Sequence, residues 1–226
     1  MVKKVAEARR PERPTGAFTL DGLGQALGAA LPEGAIVVDE SVTTGRGFFP
    51  FSAGAPPHDW LNNMGGSAQI NCMKQFVQFG MTKDMALGGA LFEIESVRSV
   101  PKEAQTGWWT MEWWWQQPDV PQVAPFVDSF RKATGKTPTA RHWFAYVAVH
   151  SVKLAAEKAK SLKGLDMAKA LADLELPPEV ALQPGSVRYR AGDHQLMSNI
   201  FVGQMHPPEG GNPDALFKVE GLVPGE

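Results

Sequence analysis

Between Gly107 and Trp115 the chain reads GWWTMEWWW, which places five of its seven tryptophans in one short stretch. On a ribbon of period two, Trp109, Met111, Trp113 and Trp115 share one face, while Trp108, Thr110, Glu112 and Trp114 share the other. One face is therefore wholly apolar. A tryptophan buries up to about 250 Å², so this stretch must lie beneath other elements or wall an apolar cleft. The expectation is a strand over 107–115 that belongs to the core.

With 226 residues, 43% of them hydrophobic, the chain can bury the core of one large domain or two small ones. Twenty-two basic and 24 acidic side chains leave a formal charge of -2. No basic block occurs, which excludes nucleic acid as an expected partner. A single cysteine, Cys72, excludes an internal disulfide and a cysteine-based zinc cluster, and reads as a small core residue. The opening MVKKVAEARRPERP is basic with no apolar run behind it. No apolar run elsewhere is long enough to cross a bilayer. As written, the chain reads as cytoplasmic.

Residues 1–14 form a polar lead-in. Thr19 is placed to cap a helix carrying Leu20, Leu23, Leu27 and Leu31 on one face, stopped by Pro32 and Gly34. Ala35 to Val38 reads as a buried parallel strand whose end turns polar at Asp39 and Glu40. Ser41 to Ser67 is rich in Gly, Pro, Ser and Asn and reads as a long loop with one short helix near Thr43 to Phe48. A helix from Ser67 with Ile70, Met73, Phe76 and Val77 on one face then stops at Gly80, followed by a strand over 85–92 and a helix over 97–105. Leading into the tryptophan stretch, this α, β, α, β order predicts a parallel sheet with helices on its faces. Three helices follow: Pro121 to Gly135 with a Val123, Phe126, Val127, Phe130 stripe, Thr139 to about Lys160, and one marked by Met167, Ala170, Leu171 and Leu174. Strand-like runs 186–190 and 196–203 flank a turn at Ala191, Gly192 and Asp193, and the tail from His206 is rich in Pro and Gly.

The run GLGQALG at 22–28 departs from the dinucleotide fingerprint in spacing and has no strand before it, so its glycines read as close-packing positions on a helix. The five histidines lack metal-ligand spacing, and no P-loop, GxSxG or HExxH occurs. No metal site is expected. Glu93 and Glu95 end a strand, where a carboxylate can hold a ligand's ammonium group; a solvated helix start serves equally well as their reading.

Two stretches resemble known families. AQINCMKQFVQFG, EAQTGWW, FVDSFRKATGKTPTARHWFAYVAVHSVKLAAEKAKS and GSVRYRAGDHQLMSNIFVGQ, with Asp193, His194 and Gln195 in its turn, together look like the C-terminal half of a type I periplasmic solute-binding protein of a branched-chain amino-acid ABC transporter, over about 68–226. The resemblance implies one α/β lobe of a protein whose two lobes close on a small ligand without covalent chemistry, and which delivers it to a membrane permease from the periplasm. It places Phe92, Glu93, Glu95, Trp114 and Trp115 at the ligand. Most of the first lobe would be missing, so the helix containing Tyr146 would expose an apolar face and favour self-association.

FTLDGLGQALGAALPEGAIVVDESVTTG and LNNMGGS resemble instead, over about 15–67, the diphosphate-binding domain of thiamine-diphosphate enzymes of the benzoylformate decarboxylase and acetolactate synthase type. That likeness would put Thr43, Thr44, Gly65 and Gly66 near thiamine diphosphate and magnesium. Yet the GDG motif and downstream Asn that hold metal and diphosphate in that family do not follow, since Gly192 and Asp193 belong to the other resemblance. The expected reading is therefore a solute-binding element without cofactor. The alternatives are an enzyme fragment or a chimera without function, with the joint at Ser67 and Ala68.

Overall fold

The computed structural model describes residues 9–39, 47–62, 65–83, 86–90 and 93–225, with 61 and 62 in backbone only. They fall into two compact units, Met1–Ala68 and Gln69–Glu226.

In the first unit helix α1 spans Leu20–Ala30, and the Thr19 hydroxyl accepts the Gly22 amide at 3.0 Å. The polar lead-in closes the other end: Arg10 donates to the carbonyls of Ala29 and Leu31, each at 2.8 Å. Of the leucine stripe only the end is buried, at Leu31. Leu20 and Leu23 stay exposed, and the helix turns Gly24 and Gly28 inward. A Cβ on Gly24 would lie 2.4 Å from the Phe51 ring, and one on Gly28 would lie 2.1 Å from the Phe51 carbonyl oxygen. The glycines of GLGQALG thus let the helix meet the 3₁₀ turn Phe49–Ser52 at backbone distance.

Strand β1, Ile36–Asp39, pairs in parallel with β2, Asp59–Asn62, in a two-stranded sheet separate from the larger one. β2 lies inside the stretch read as loop. Four residues with polar ends carry no visible period, and the strand is defined by a partner more than twenty positions earlier in the chain. The short helix expected near Thr43 to Phe48 falls largely outside the described residues.

The second unit is entered through α2, Gly66–Gln78, which buries Met73 and Phe76 and is stopped by Gly80 at φ 69°. Its sheet has the order β3-β4-β7-β8: Gly88–Gly89, Trp108–Met111, Ile200–Met205 and Phe217–Val223. The α/β class holds. The sheet, however, is mixed: β3 and β4 run parallel, whereas β4, β7 and β8 run antiparallel to their neighbours. Only two residues of the expected strand 85–92 pair, with 84, 85, 91 and 92 outside the described residues. The helix expected over 97–105 is instead α3, Ile94–Val97, and a separate 3₁₀ turn, Lys102–Ala104. Pro101 between them supplies no amide and ends the helix.

The tryptophan stretch is a strand for four residues only. Trp109 and Met111 are buried on its inner face and Trp108 is 49% exposed on the outer one. Alternation then stops: Trp113 and Trp114 are consecutive and each is 1% exposed. The chain bends after Met111 and sends them to different cores. Trp114 joins Trp109, Met111, Met73, Ile94 and Phe201. Trp113 joins the helical core of α4 (Val123–Thr134), α5 (Ala140–Ala159) and α7 (Pro178–Ala181), and donates from Nε1 to the Leu182 carbonyl at 2.8 Å.

These helices follow their sequence signals. Gly135 ends α4 at φ 69°, and Thr139 caps α5 in a box closed by His142. α6 spans Gly164–Leu171. Beyond them, β5 (Arg188–Tyr189) and β6 (Leu196–Met197) pair across the expected turn, but the run read as one strand over 196–203 splits between β6 and β7, which lie in different sheets; β8 lies in the Pro- and Gly-rich tail.

Candidate functional site

In an open α/β sheet, ligands sit beyond the carboxyl ends of the parallel strands. Here those strands are β3 and β4, and the segments leaving them carry Glu93 and Glu95 on one side and Trp114 and Trp115 on the other. Ile94, between the two glutamates, is buried in the same core as Trp114, with Trp115 packed against it, so one packing cluster fixes both segments. Phe92 lies outside the described residues.

The four described residues take different roles. Glu93 is half-buried and accepts a hydrogen bond from Arg141 Nε at 2.7 Å, with Arg141 Nη2 closing on the same oxygen. Arg141 stands in the first turn of α5 with its side chain mostly in solvent. Glu95, in the first turn of α3, is exposed. Trp114 is enclosed, edge-on to Phe217 at 5.6 Å and tilted against Trp115 at 5.8 Å, and belongs to the core. Trp115 is half-buried, with the Arg131 guanidinium 4.5 Å above its ring and its own Nε1 donating to the Asp214 carbonyl at 3.2 Å.

Asp214 in turn accepts from Arg98 Nε at 3.0 Å, and from Arg98 Nη2. Arg131 also donates to the Thr137 hydroxyl, at 3.1 Å from Nη2. A belt from α3 through Asp214 and Trp115 to α4 therefore holds the indole in one orientation. Arg141, Arg131 and Asp214 were not legible as partners, because each lies more than 15 positions from the residue it serves. A buried amide pair stiffens the strand ends: Gln183 donates to the carbonyls of Glu112 and Asn199 and accepts from the Asn199 amide, while Asn199 Oδ1 accepts the Gly225 amide.

Of the four residues expected near a diphosphate, Gly65 and Gly66 are described. Thr43 and Thr44 lie outside the described residues. Gly65 and Gly66 are exposed, and among the described residues a Cβ on either would meet nothing within 4 Å. Among the described residues no group of three or more His, Cys, Asp or Glu stands ready for a metal.

A family model described as periplasmic binding protein matches residues 57–212, more than half of the sequence. The chain belongs to the periplasmic binding protein family. The match begins at 57, ahead of the start at 68 read from the motifs, and so takes in β2. Solved structures agree in fold. An amino acid ABC transporter substrate-binding protein from Pseudomonas fluorescens superposes with a TM-score of 0.65 at 17% identity, covering 85% of this chain and 59% of that one. A solute-binding protein of an ABC transporter from Rhodopseudomonas palustris, solved with 3,4-dihydroxybenzoic acid, gives a TM-score of 0.61 at 15% identity, covering 90% and 63%. The chain thus spans about six-tenths of the length of these periplasmic binding proteins. A second likeness is of another kind: a Mycobacterium tuberculosis protein named for an acetolactate synthase large subunit, IlvX, is 52% identical over 66 residues, which are 29% of this chain and 13% of that protein.

Proposed function

We propose that this chain is a partial solute-binding element of an ABC transporter for amino acids or related small organic acids, acting by non-catalytic binding without a cofactor. The observation that carries the reading is the Glu93–Arg141 pair beyond β3. A carboxylate beside a guanidinium complements the ammonium and carboxylate of an amino acid, which can exchange partners with the protein pair. The Trp115 ring, pinned by Arg131 and Asp214, supplies an apolar wall for a side chain or an aromatic acid. Family membership and the amino acid and dihydroxybenzoate proteins of the same fold support the ligand class. The partner would be a membrane permease and the place the periplasm; among the described residues no helix is long and apolar enough to cross a membrane.

The test is titration of the protein with leucine and with 3,4-dihydroxybenzoate, followed by tryptophan emission. The expected result is a saturable change that Trp115→Phe removes. Glu93→Gln is expected to weaken leucine by about tenfold, the worth of one charge-assisted hydrogen bond, and to leave the benzoate unaffected. A flat emission with both ligands overturns the proposal.

The second reading is a remnant of a thiamine-diphosphate enzyme, favoured by the IlvX likeness. The described residues do not fit that cofactor, since the open surroundings of Gly65 and Gly66 offer it no contacts. Adding thiamine diphosphate with magnesium separates the two readings: a response to it alone would favour the enzyme origin. A chimera joined near Ser67 and Ala68 accounts for both likenesses, and sequencing the source DNA across that joint checks it. Helix α5 presents Val149 and Val152 at 71% and 58% exposure, so self-association through this apolar face is part of the proposal. A sharp monomeric peak in size-exclusion chromatography would count against it.

A further inference from the structure

The amino ends of β3 and β4 hold a cavity of about 300 Å³, lined by Leu87, Gly107, Met205 and Phe76 of α2 among others. That volume lies at the lower end of the range for small-molecule sites, roughly 300–1,000 Å³. Glu93 and Trp115 follow the carboxyl ends of the same two strands, so this cavity is separate from the site described above. Its backbone is fixed. The Trp108 amide donates to the Leu87 carbonyl and the Met205 amide to the Gly107 carbonyl, each at 3.0 Å. Gly107 stands at φ 102°, and a Cβ there would lie 2.3 Å from the Leu87 oxygen, so glycine is what lets the two segments meet this closely.

What remains for a ligand is side-chain chemistry, and all of it is uncharged. Trp108 and Gln204 lie opposite each other on β4 and β7 and share the outer face of the sheet, where the indole is half-exposed. Thr82 and Thr106 complete the polar lining. Among the described residues no hydrogen bond engages either threonine hydroxyl, the Gln204 side-chain amide or the Trp108 Nε1. Hydroxyls and a carboxamide both donate and accept, which is what a ligand hydroxyl needs. No charged side chain among the described residues lines the cavity, and Lys218, beside Gln204 in the same cross-strand row, is turned to Glu220 at 2.7 Å. An ammonium or a carboxylate placed here would shed water without gaining a counter-ion.

We propose that this cavity is a second binding site, for an uncharged polyhydroxylated molecule of monosaccharide size. The C–H face of such a ring lies on the Trp108 indole, and its hydroxyls reach Gln204, Thr82 and Thr106. Amino acids and organic acids, the ligands proposed for the site at Glu93 and Trp115, do not suit it.

NMR titration of the isotope-labelled full chain tests the proposal, with D-glucose and myo-inositol as probes and D-gluconate and D-glucosamine as charged counterparts of the same size. Both neutral probes are expected to shift the Trp108 indole and Gln204 amide signals saturably, and the charged pair to bind at least about tenfold more weakly. Trp108→Ala is expected to abolish the shift at Gln204, and the isosteric Gln204→Glu and Thr106→Val each to raise the glucose dissociation constant about tenfold. Far-UV circular dichroism of all three variants is expected to match the parent, and their response to leucine at Trp115 to be unchanged, so this site and the transport site succeed or fail separately. No saturable shift with either neutral probe overturns the proposal. So do charged counterparts that bind as tightly as glucose, or Gln204→Glu and Thr106→Val chains that both bind glucose like the parent.

Discussion

Trp113 and Trp114 are neighbours in the chain, yet each anchors a different core, and the bend after Met111 is what lets both be enclosed. Trp113→Ala is expected to destabilise the second unit by about 3–5 kcal/mol, through lost burial and the loss of one of the two hydrogen bonds that the Leu182 carbonyl accepts, the other coming from Gln117; urea unfolding followed by circular dichroism reads this. In the first unit Gly28→Ala drives a methyl group against the Phe51 carbonyl oxygen, backbone against backbone, and is expected to cost about 1–3 kcal/mol in thermal or urea unfolding. Asp193 provides a pH probe. Its side chain accepts from Arg190 and from the Gln195 amide, which hold its pKa down to about 2 from 3.8. A lowered folded-state pKa contributes stability that is complete above about pH 4 and fades as pH falls toward 2. Carboxyl chemical shifts of Asp193 followed by NMR are expected to titrate near 2, and a midpoint near the ordinary 3.8 would show the turn to be open in solution.

Among elements, α5 shows the strongest link between a local signal and its outcome. Its twenty residues, Ala140–Ala159, lie between the cap Thr139, whose hydroxyl and amide both engage the His142 backbone or ring, and the cap Lys160 with φ 48°. Thr139→Ala removes the cap at a site that is almost fully buried and is expected to cost about 1–2 kcal/mol, measured by thermal unfolding. The Val123 to Phe130 stripe of α4 and the Gly135 stop were equally plain, because a helix closes its hydrogen bonds within its own sequence. Strands behaved differently. β2 and β8 lay in stretches rich in Pro and Gly, and the Lys218 and Glu220 alternation of β8 became meaningful only once β7 stood beside it. The sequence-based expectation of nine residues of tryptophan strand failed for a related reason: period two reports which residues are able to alternate, and the pairing with β7, which ends at Met111, decides which do.

At the scale of the molecule the chain carries two textures in two compact units, and the family match from 57 to 212 overlaps both. Composition alone gave no basis for expecting a nucleic-acid partner and, with one cysteine, excluded an internal disulfide, and the motifs of α2, α4, α5 and the β5–β6 turn pointed to the periplasmic binding protein family. All of these are short-range properties, set by side-chain period, caps and turn residues. Tertiary structure alone decided the rest. It turned Gly24 and Gly28 of α1 inward and left Leu20 and Leu23 exposed, made the sheet mixed, enclosed Trp114 in the core against Phe217, and gave Glu93 an arginine from a helix 48 positions away. Those outcomes depend on which surfaces meet across long separations in the chain, and no local pattern of residues encodes that meeting.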